Sequence, residues 1–419
     1  MVSPYWFPPE IWTMVFQMIS EDYHYDIMNV RLTCKIFESL AIPFLPLPRM
    51  ICGPSSSSLT TLTAVSRHPV LSRSVREVVY NCSRFQSIKT LPEYKEALRK
   101  DRFSGFDEPR SEEEDLGLDT AFSDYSRYYN NQAAMESSGE VIACLCSALM
   151  RMPNVERITI SPNFEYEWDD ELDDELDDEL DDELDSYNYP RYFLYPHPAY
   201  DEAFLLMARV MSLTGANIRE LDIESDDADR AHGVDGALFR GMSQLNLSHC
   251  CDAFRGLRNI NILANEADIN NGWRTGKLAR ILSGTTDLER LCICCFNEMF
   301  HISTRYILGT TVWSRLNSLE FSGIIIDQGD FLDVLGRHSS TLKDISLFSV
   351  RLTNGSWEML LKGMKSSLTL QHITIEDPYE DSHDKIYLHS HALRHYLLGD
   401  GPNPLSIEYL LDLQEEGVL

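Results

Sequence analysis

Leu316-Asn317-Ser318-Leu319-Glu320-Phe321 is one of a series of six-residue stretches written apolar-x-x-apolar-x-apolar, and that series decides the fold. The next copies are Leu342-Lys343-Asp344-Ile345-Ser346-Leu347 and Leu370-Gln371-His372-Ile373-Thr374-Ile375. Working back toward the N-terminus, the spacing recurs at Leu288/Leu291/Ile293, Leu257/Ile260/Ile262, Ile218/Leu221/Ile223 and Val155/Ile158/Ile160. A looser copy is Val75/Val78/Tyr80. From Leu257 onward the first positions lie 31, 28, 26 and 28 residues apart. The alternation at the end of each copy is that of a short strand with one buried face. Between the copies run helical stripes: Val141, Leu145, Ala148, Leu149 and Met152; Phe204, Met207, Ala208 and Met211; Phe331, Val334 and Leu335; Trp357, Leu360, Leu361 and Met364. One such unit cannot bury its apolar face alone, so several must stack. The expected fold is therefore α/β, a curved solenoid of about eight repeats with a parallel sheet inside and helices outside. A doubly wound sheet, which also alternates helix and strand, is the competing arrangement.

Strand side chains alternate, so the residues between the apolar ones should face outward on the concave sheet. Among them are Glu220, Asp222, Glu224, Arg290, Glu320 and Asp344, the expected substrate-binding positions. With Glu77 and Glu376, acidic residues on this face outnumber Arg157 and Arg290 seven to two. A protein partner with a basic segment would suit such a face.

The chain has 419 residues, 43% of them hydrophobic, and a net charge of −30. The acidity argues against nucleic acid and anionic membrane as partners, because phosphate binding needs Lys and Arg. Thirteen acidic residues lie in the run Asp169–Asp185, without which the charge is −17. Two strand spacings are too long, and both hold acidic insertions, near residues 100–136 and 162–198. The second contains Asp-Asp-Glu-Leu four times over. Like charges at i, i+4 oppose a helix there, and a solvated acidic loop is expected. A calcium loop needs a fixed turn and varied oxygen ligands, and the run has neither. Ten scattered cysteines, mostly inside apolar patterns, imply a reducing compartment, cytoplasm or nucleus. The first residues carry no apolar signal-peptide core, and no stretch approaches eighteen apolar residues.

The stretch Pro4–Leu45 reads as three short helices. Phe7-Pro8-Pro9-Glu10-Ile11 opens the first, since proline is tolerated where the first turn needs no N–H and Glu10 suits the positive helix end. Ile11, Val15, Met18 and Ile19 share one face. Asp26 caps a second helix with Ile27 and Val30, and a third carries Phe37, Leu40, Ala41 and Phe44. So small a unit with so many aromatic residues suggests a partner. Pro46 to Pro48 and Gly53-Pro54-Ser55 then read as a hinge, giving domains at 1–48 and 71–419 with a linker at 49–70.

Phe7-Pro8-Pro9-Glu10-Ile11, Val15-Phe16, Ile19, Asp26-Ile27 and Arg31-Leu32-Thr33-Cys34-Lys35-x-Phe37 resemble an F-box, in order and in spacing, over about a tenth of the chain. Phe7 stands where that family usually has Leu, and Thr33 where it has Val. The remainder resembles the leucine-rich repeats of fungal F-box proteins. The resemblance implies a substrate-recognition subunit of a Skp–cullin–F-box ubiquitin ligase. Phe7, Pro8, Glu10, Ile11, Val15, Ile19, Ile27, Val30, Leu32, Cys34 and Phe37 would then be the adaptor-docking or F-box core positions. The partners implied are a Skp-type adaptor, a cullin and a protein substrate. An interaction scaffold that uses the repeats without ubiquitin transfer is the alternative.

No cofactor, metal or catalytic constellation is expected. His249-Cys250-Cys251 and Cys292-x-Cys294-Cys295 lack the paired Cys-x₂₋₄-Cys spacing of zinc sites, and read as small residues filling repeats, with Cys292 and Cys294 outward and Cys295 inward. His391 and His395, at i, i+4, have no third ligand nearby in sequence. A Gly-rich phosphate loop, a nucleophile elbow and a kinase signature are all missing.

Overall fold

The structure, a computed structural model, describes residues 7–22, 27, 29–30, 33–44, 47–100, 112–162, 197–225, 233–265, 272–295, 304–380 and 385–406. The Asp-Asp-Glu-Leu run lies outside the described residues, as does Leu32.

Nine strands form a parallel sheet in chain order: β1 (Arg49–Cys52), β2 (Glu77–Asn81), β3 (Arg157–Ser161), β4 (Glu220–Ile223), β5 (Asn259–Asn265), β6 (Arg290–Cys295), β7 (Ser318–Ser322), β8 (Asp344–Phe348) and β9 (His372–Glu376). A two-residue strand, Val234–Asp235, adds beside β5. Strand order never reverses, so the sheet has no switch point of the doubly wound kind. Each copy of the sequence pattern is one of these strands.

One register runs through the whole sheet. Val78 pairs with Ile158, Ile158 with Leu221, Leu221 with Ile260, and so on through Leu291, Leu319, Ile345 and Ile373. All of these are buried. Entry into each strand is marked by a shared carbonyl. The N–H groups of Arg76 and Glu77 both donate to the Pro48 carbonyl, those of Glu156 and Arg157 to Arg76, and those of Arg219 and Glu220 to Glu156. The same fork repeats down to Gln371 and His372 on Lys343, eight times in all. A slip of one residue would turn every buried side chain outward, so this fork and the apolar rows fix the same register.

Thirteen of the helices are, in chain order, α1 (Pro9–Asp22), α2 (Lys35–Ala41), α3 (Ser56–Arg67), α4 (Leu91–Lys100), α5 (Glu112–Ser138), α6 (Glu140–Leu149), α7 (Tyr200–Thr214), α8 (Gln244–Phe254), α9 (Lys277–Leu282), α10 (Thr304–Leu308), α11 (Gln328–Arg337), α12 (Trp357–Ser367) and α13 (Ser390–Leu398). From α6 on, each packs on the next, and α3 packs on α6. Five have a hydroxyl or carboxylate cap that accepts the N–H three residues on: Ser55 from Ser58, Thr90 from Glu93, Ser243 from Asn246, Asp327 from Asp330 and Ser356 from Met359. The stripes read from the sequence, Val141 to Met152, Phe204 to Met211, Phe331 to Leu335 and Trp357 to Met364, are all buried against the sheet.

Two parts depart from the sequence reading. Residues 49–70, expected as a linker, form β1 and α3, which pack into the same core. Leu47/Met50/Cys52 is a ninth copy of the pattern, disguised by Pro46 and Pro48. Proline is tolerated there because β1 is an edge strand and needs no N–H on its outer side. In the first acidic insertion, the described part is helical. Leu118, Ala121 and Tyr125 of α5 close on Tyr94 and Leu98 of α4 in a small separate core.

Buried polar groups concentrate where repeats meet. His338 accepts the Trp313 N–H at Nε2 (3.1 Å), and its Nδ1 meets the Val334 carbonyl (2.8 Å). Trp313 Nε1 donates to Leu282 O and Thr285 Oγ1. Only the neutral imidazole can accept at Nε2, and burial holds the ring below its ordinary value of 6.5. This stabilisation is complete above that value and is lost as pH falls through the depressed folded value. His338→Ala leaves the Trp313 N–H unpaired, so it should cost about 1–3 kcal/mol at neutral pH. Urea midpoints across the acidic limb check this: the wild type should lose stability more steeply than the variant.

Candidate interaction surfaces

The N-terminal helices close on a small core of their own. Phe16, Ile27 and Ala41 are fully buried, with Trp12, Ile19, Val30, Phe37 and Leu40 packed against them. The rings interlock: Trp12 and Phe37 centroids lie 4.5 Å apart, Phe16 and Phe37 5.1 Å edge to face. Leu71, beyond β1, touches the same cluster.

The helix α1 is apolar on two sides. Trp12, Phe16 and Ile19 point into that core. Ile11, Met14, Val15 and Met18, at i, i+3, i+4 and i+7, point away from it, and Met14 and Met18 are 62% and 66% exposed. The sequence reading put Ile11, Val15, Met18 and Ile19 on one face, but Ile19 turns inward. Of the expected docking positions, Phe7, Pro8, Glu10, Ile11 and Val15 are exposed, Cys34 is half-buried, and Ile19, Ile27, Val30 and Phe37 belong to the core. Met14 was missed. Its signal, the i+3 step from Ile11, was in the sequence.

The second surface is the face of the sheet turned away from the helices. Three rows cross it in register. The first runs Arg49, Glu77, Arg157, Glu220, Asn259, Arg290, Ser318, Asp344, His372. The middle row runs Ile51, Val79, Thr159, Asp222, Asn261, Cys292, Glu320, Ser346, Thr374. The third ends Leu263, Cys294, Ser322, Phe348, Glu376.

All six expected substrate positions lie on this face, but its charge is partly spent within the sheet. Arg157 meets Glu220 at 2.8 Å, and Arg49, from the segment expected as a linker, reaches Glu77 and Glu224 at 3.6 Å each. Arg290 meets Glu320 at 3.2 Å. Asn259 and Asn261 donate to Glu220 and Asp222. Burial raises the Asp222 carboxyl above its usual range, and the Asn261 hydrogen bond opposes that. Val79 and Thr159, expected outward, are fully buried, and Thr159 donates to Glu77. The acidic strip at Glu220–Glu224 is thus a cross-strand ladder. Glu376, at the far edge of the described face, is exposed.

A cleft of about 520 Å³ lies between α5, α6 and α7. Its Arg84 and Glu136 pair with each other at 2.5 Å, and Arg84 also donates to Tyr80. No helix of the described residues is long and apolar enough to cross a membrane. No family model matches the chain, and no curated protein matches it.

Proposed function

We propose that the chain is a substrate receptor of a Skp–cullin–F-box ubiquitin ligase, with an F-box at its N-terminus and leucine-rich repeats behind it. The observation that carries the reading is the outward apolar stripe of α1. A helix whose inner face already fills a core has no internal use for Ile11, Met14, Val15 and Met18 on the outside. Exposed apolar stripes of this kind are docking faces. The F-box-like order of the sequence supports the same stripe as the adaptor contact. The long sheet behind it, with every strand in chain order, supports a repeat domain that offers one extended face to a substrate.

Pull-down of the full chain with a Skp-type adaptor tests the reading, and failure of the wild type to bind sinks it. Binding of the adaptor without a co-purifying cullin would instead favour a scaffold that does not transfer ubiquitin. The substrate is a protein with a basic segment, bound toward the β8–β9 end of the open face, where Glu376 is exposed. Captured substrates should elute as salt rises, because exposed pairs are screened within about 8 Å at physiological ionic strength. Retention at high salt by a Glu376→Lys variant would rule out that segment.

A further inference from the structure

One cluster on the open face sets two thiols beside a carboxylate of the cross-strand pairs, a grouping that neither the adaptor surface nor those pairs account for. Cys292 and Cys294 lie on one side of β6, and their sulfurs are 3.4 Å apart. Glu320, in register with Cys292 on β7, brings its carboxylate to them, and all three ligand atoms lie within 4.8 Å of one another. Cys292 is buried, and Cys294 and Glu320 are half-buried.

We propose that Cys292, Cys294 and Glu320 bind a thiophilic divalent cation of the zinc class on the open face of the sheet. The distances suit it. Two thiolates at about 2.3 Å from one tetrahedral ion stand about 3.8 Å apart, close to the separation the pleat already imposes. A disulfide suits it less, since alternate residues of an extended strand are roughly 6.6 Å apart at Cα, near the upper limit for that bond.

The charges close as well. Two thiolates and a carboxylate carry −3 against an ion of +2, and Arg290, paired with Glu320, supplies the remaining positive charge. Arg290 meets Glu320 at Oε2, which leaves the other carboxylate oxygen for the ion. On the opposite flank Asn261 is in register with Cys292, and its Oδ1 is buried without a hydrogen-bond partner. That oxygen is a further donor beside the cluster, or the fourth position stays open to the face. The ligands come from two strands, so the ion would clip β6 to β7.

The test is titration of the reduced full-length chain with Co²⁺ and Zn²⁺. The expected result is one Co²⁺ per chain with thiolate-to-cobalt charge-transfer absorption, displaced by Zn²⁺. Cys292→Ser and Cys294→Ser should each abolish the band, and Glu320→Gln should weaken binding by at least tenfold. Cys251→Ser, a half-buried thiol elsewhere, should leave the band unchanged and serves as the control. Circular dichroism shows that the variants fold. No charge-transfer band, or a band that survives both Cys292→Ser and Cys294→Ser, overturns the site. The readout is independent of adaptor binding, so it stands or falls apart from the ligase reading.

Discussion

The double variant Met14→Glu/Met18→Glu should lose at least 100-fold in affinity for a Skp-type adaptor while keeping its fold. Both side chains are more than half exposed on the outer face of α1, one turn apart. Substitutions at such positions change stability by about 0.5 kcal/mol or less. In a docked complex the same methyl and thioether groups would be fully desolvated. Central apolar anchors contribute about 2 kcal/mol or more each, and a carboxylate in their place adds its own desolvation cost. Two anchors lost therefore correspond to at least two powers of ten. The contrasting variant is Phe16→Ala. Phe16 is fully buried against Trp12 and Phe37 and should unfold the unit, at a cost of about 3–5 kcal/mol. Calorimetric titration with the adaptor, alongside circular dichroism, separates the two effects. Tight binding by a folded double variant would mean that the stripe is not the docking face.

Gly323→Ala should be the most damaging single methyl added to the sheet. Gly323 follows β7 with φ of 64°, and its N–H donates to Phe348 O at 2.8 Å. Ser349 and Asp377 follow β8 and β9 with φ of 49° and 48°, so the left-handed turn out of the strand recurs in the last three repeats. Side chains are accepted at those two positions but not at 323. A Cβ there would sit on the carbonyl oxygen of Cys295, at the end of the neighbouring strand. The left-handed conformation costs an alanine about 1–2 kcal/mol and the forced displacement about 1–3 kcal/mol more. Together the expected loss is about 2–5 kcal/mol, visible as a lowered urea midpoint. Ser349→Ala, at the equivalent turn, should cost 1 kcal/mol or less, on the order of a surface substitution. A loss at Gly323 of no more than about 1–2 kcal/mol would show that the backbone conformation alone, not the contact with Cys295, sets the cost.

Much of the sheet could be read in advance because its pattern is local. Three apolar residues inside six, repeated at nearly constant intervals, place a strand and its buried face without any long-range information. Leu288/Leu291/Ile293 and Leu316/Leu319/Phe321 are both fully buried in adjacent strands, as their spacing implied. The strand at Arg49–Cys52 was hidden by a local rule applied without its context. Proline argues against a strand only where both edges are paired, and whether a strand is an edge is a property of the sheet. Charge balance on the open face failed for the same reason. Glu220 looks unpaired in sequence, yet its partner Arg157 lies 63 residues earlier, brought alongside by the parallel register. The Cys292–Cys294–Glu320 cluster was dismissed on spacing because the third donor comes from the next repeat. On α1 both helix faces are apolar, and only the closed core of Phe16, Ile27 and Ala41 decides which one is left outside.

The ligase reading rests on a complex that can be weighed. Full-length chain, a Skp-type adaptor and the adaptor-binding half of a cullin, mixed in equal amounts, should elute from a sizing column as one species. Light scattering should give a mass equal to the 48.1 kDa chain plus one copy of each partner. The Met14→Glu/Met18→Glu chain should elute alone, at its own mass. If the wild-type chain also elutes alone, the N-terminal helices are not an F-box and the repeats serve some other assembly.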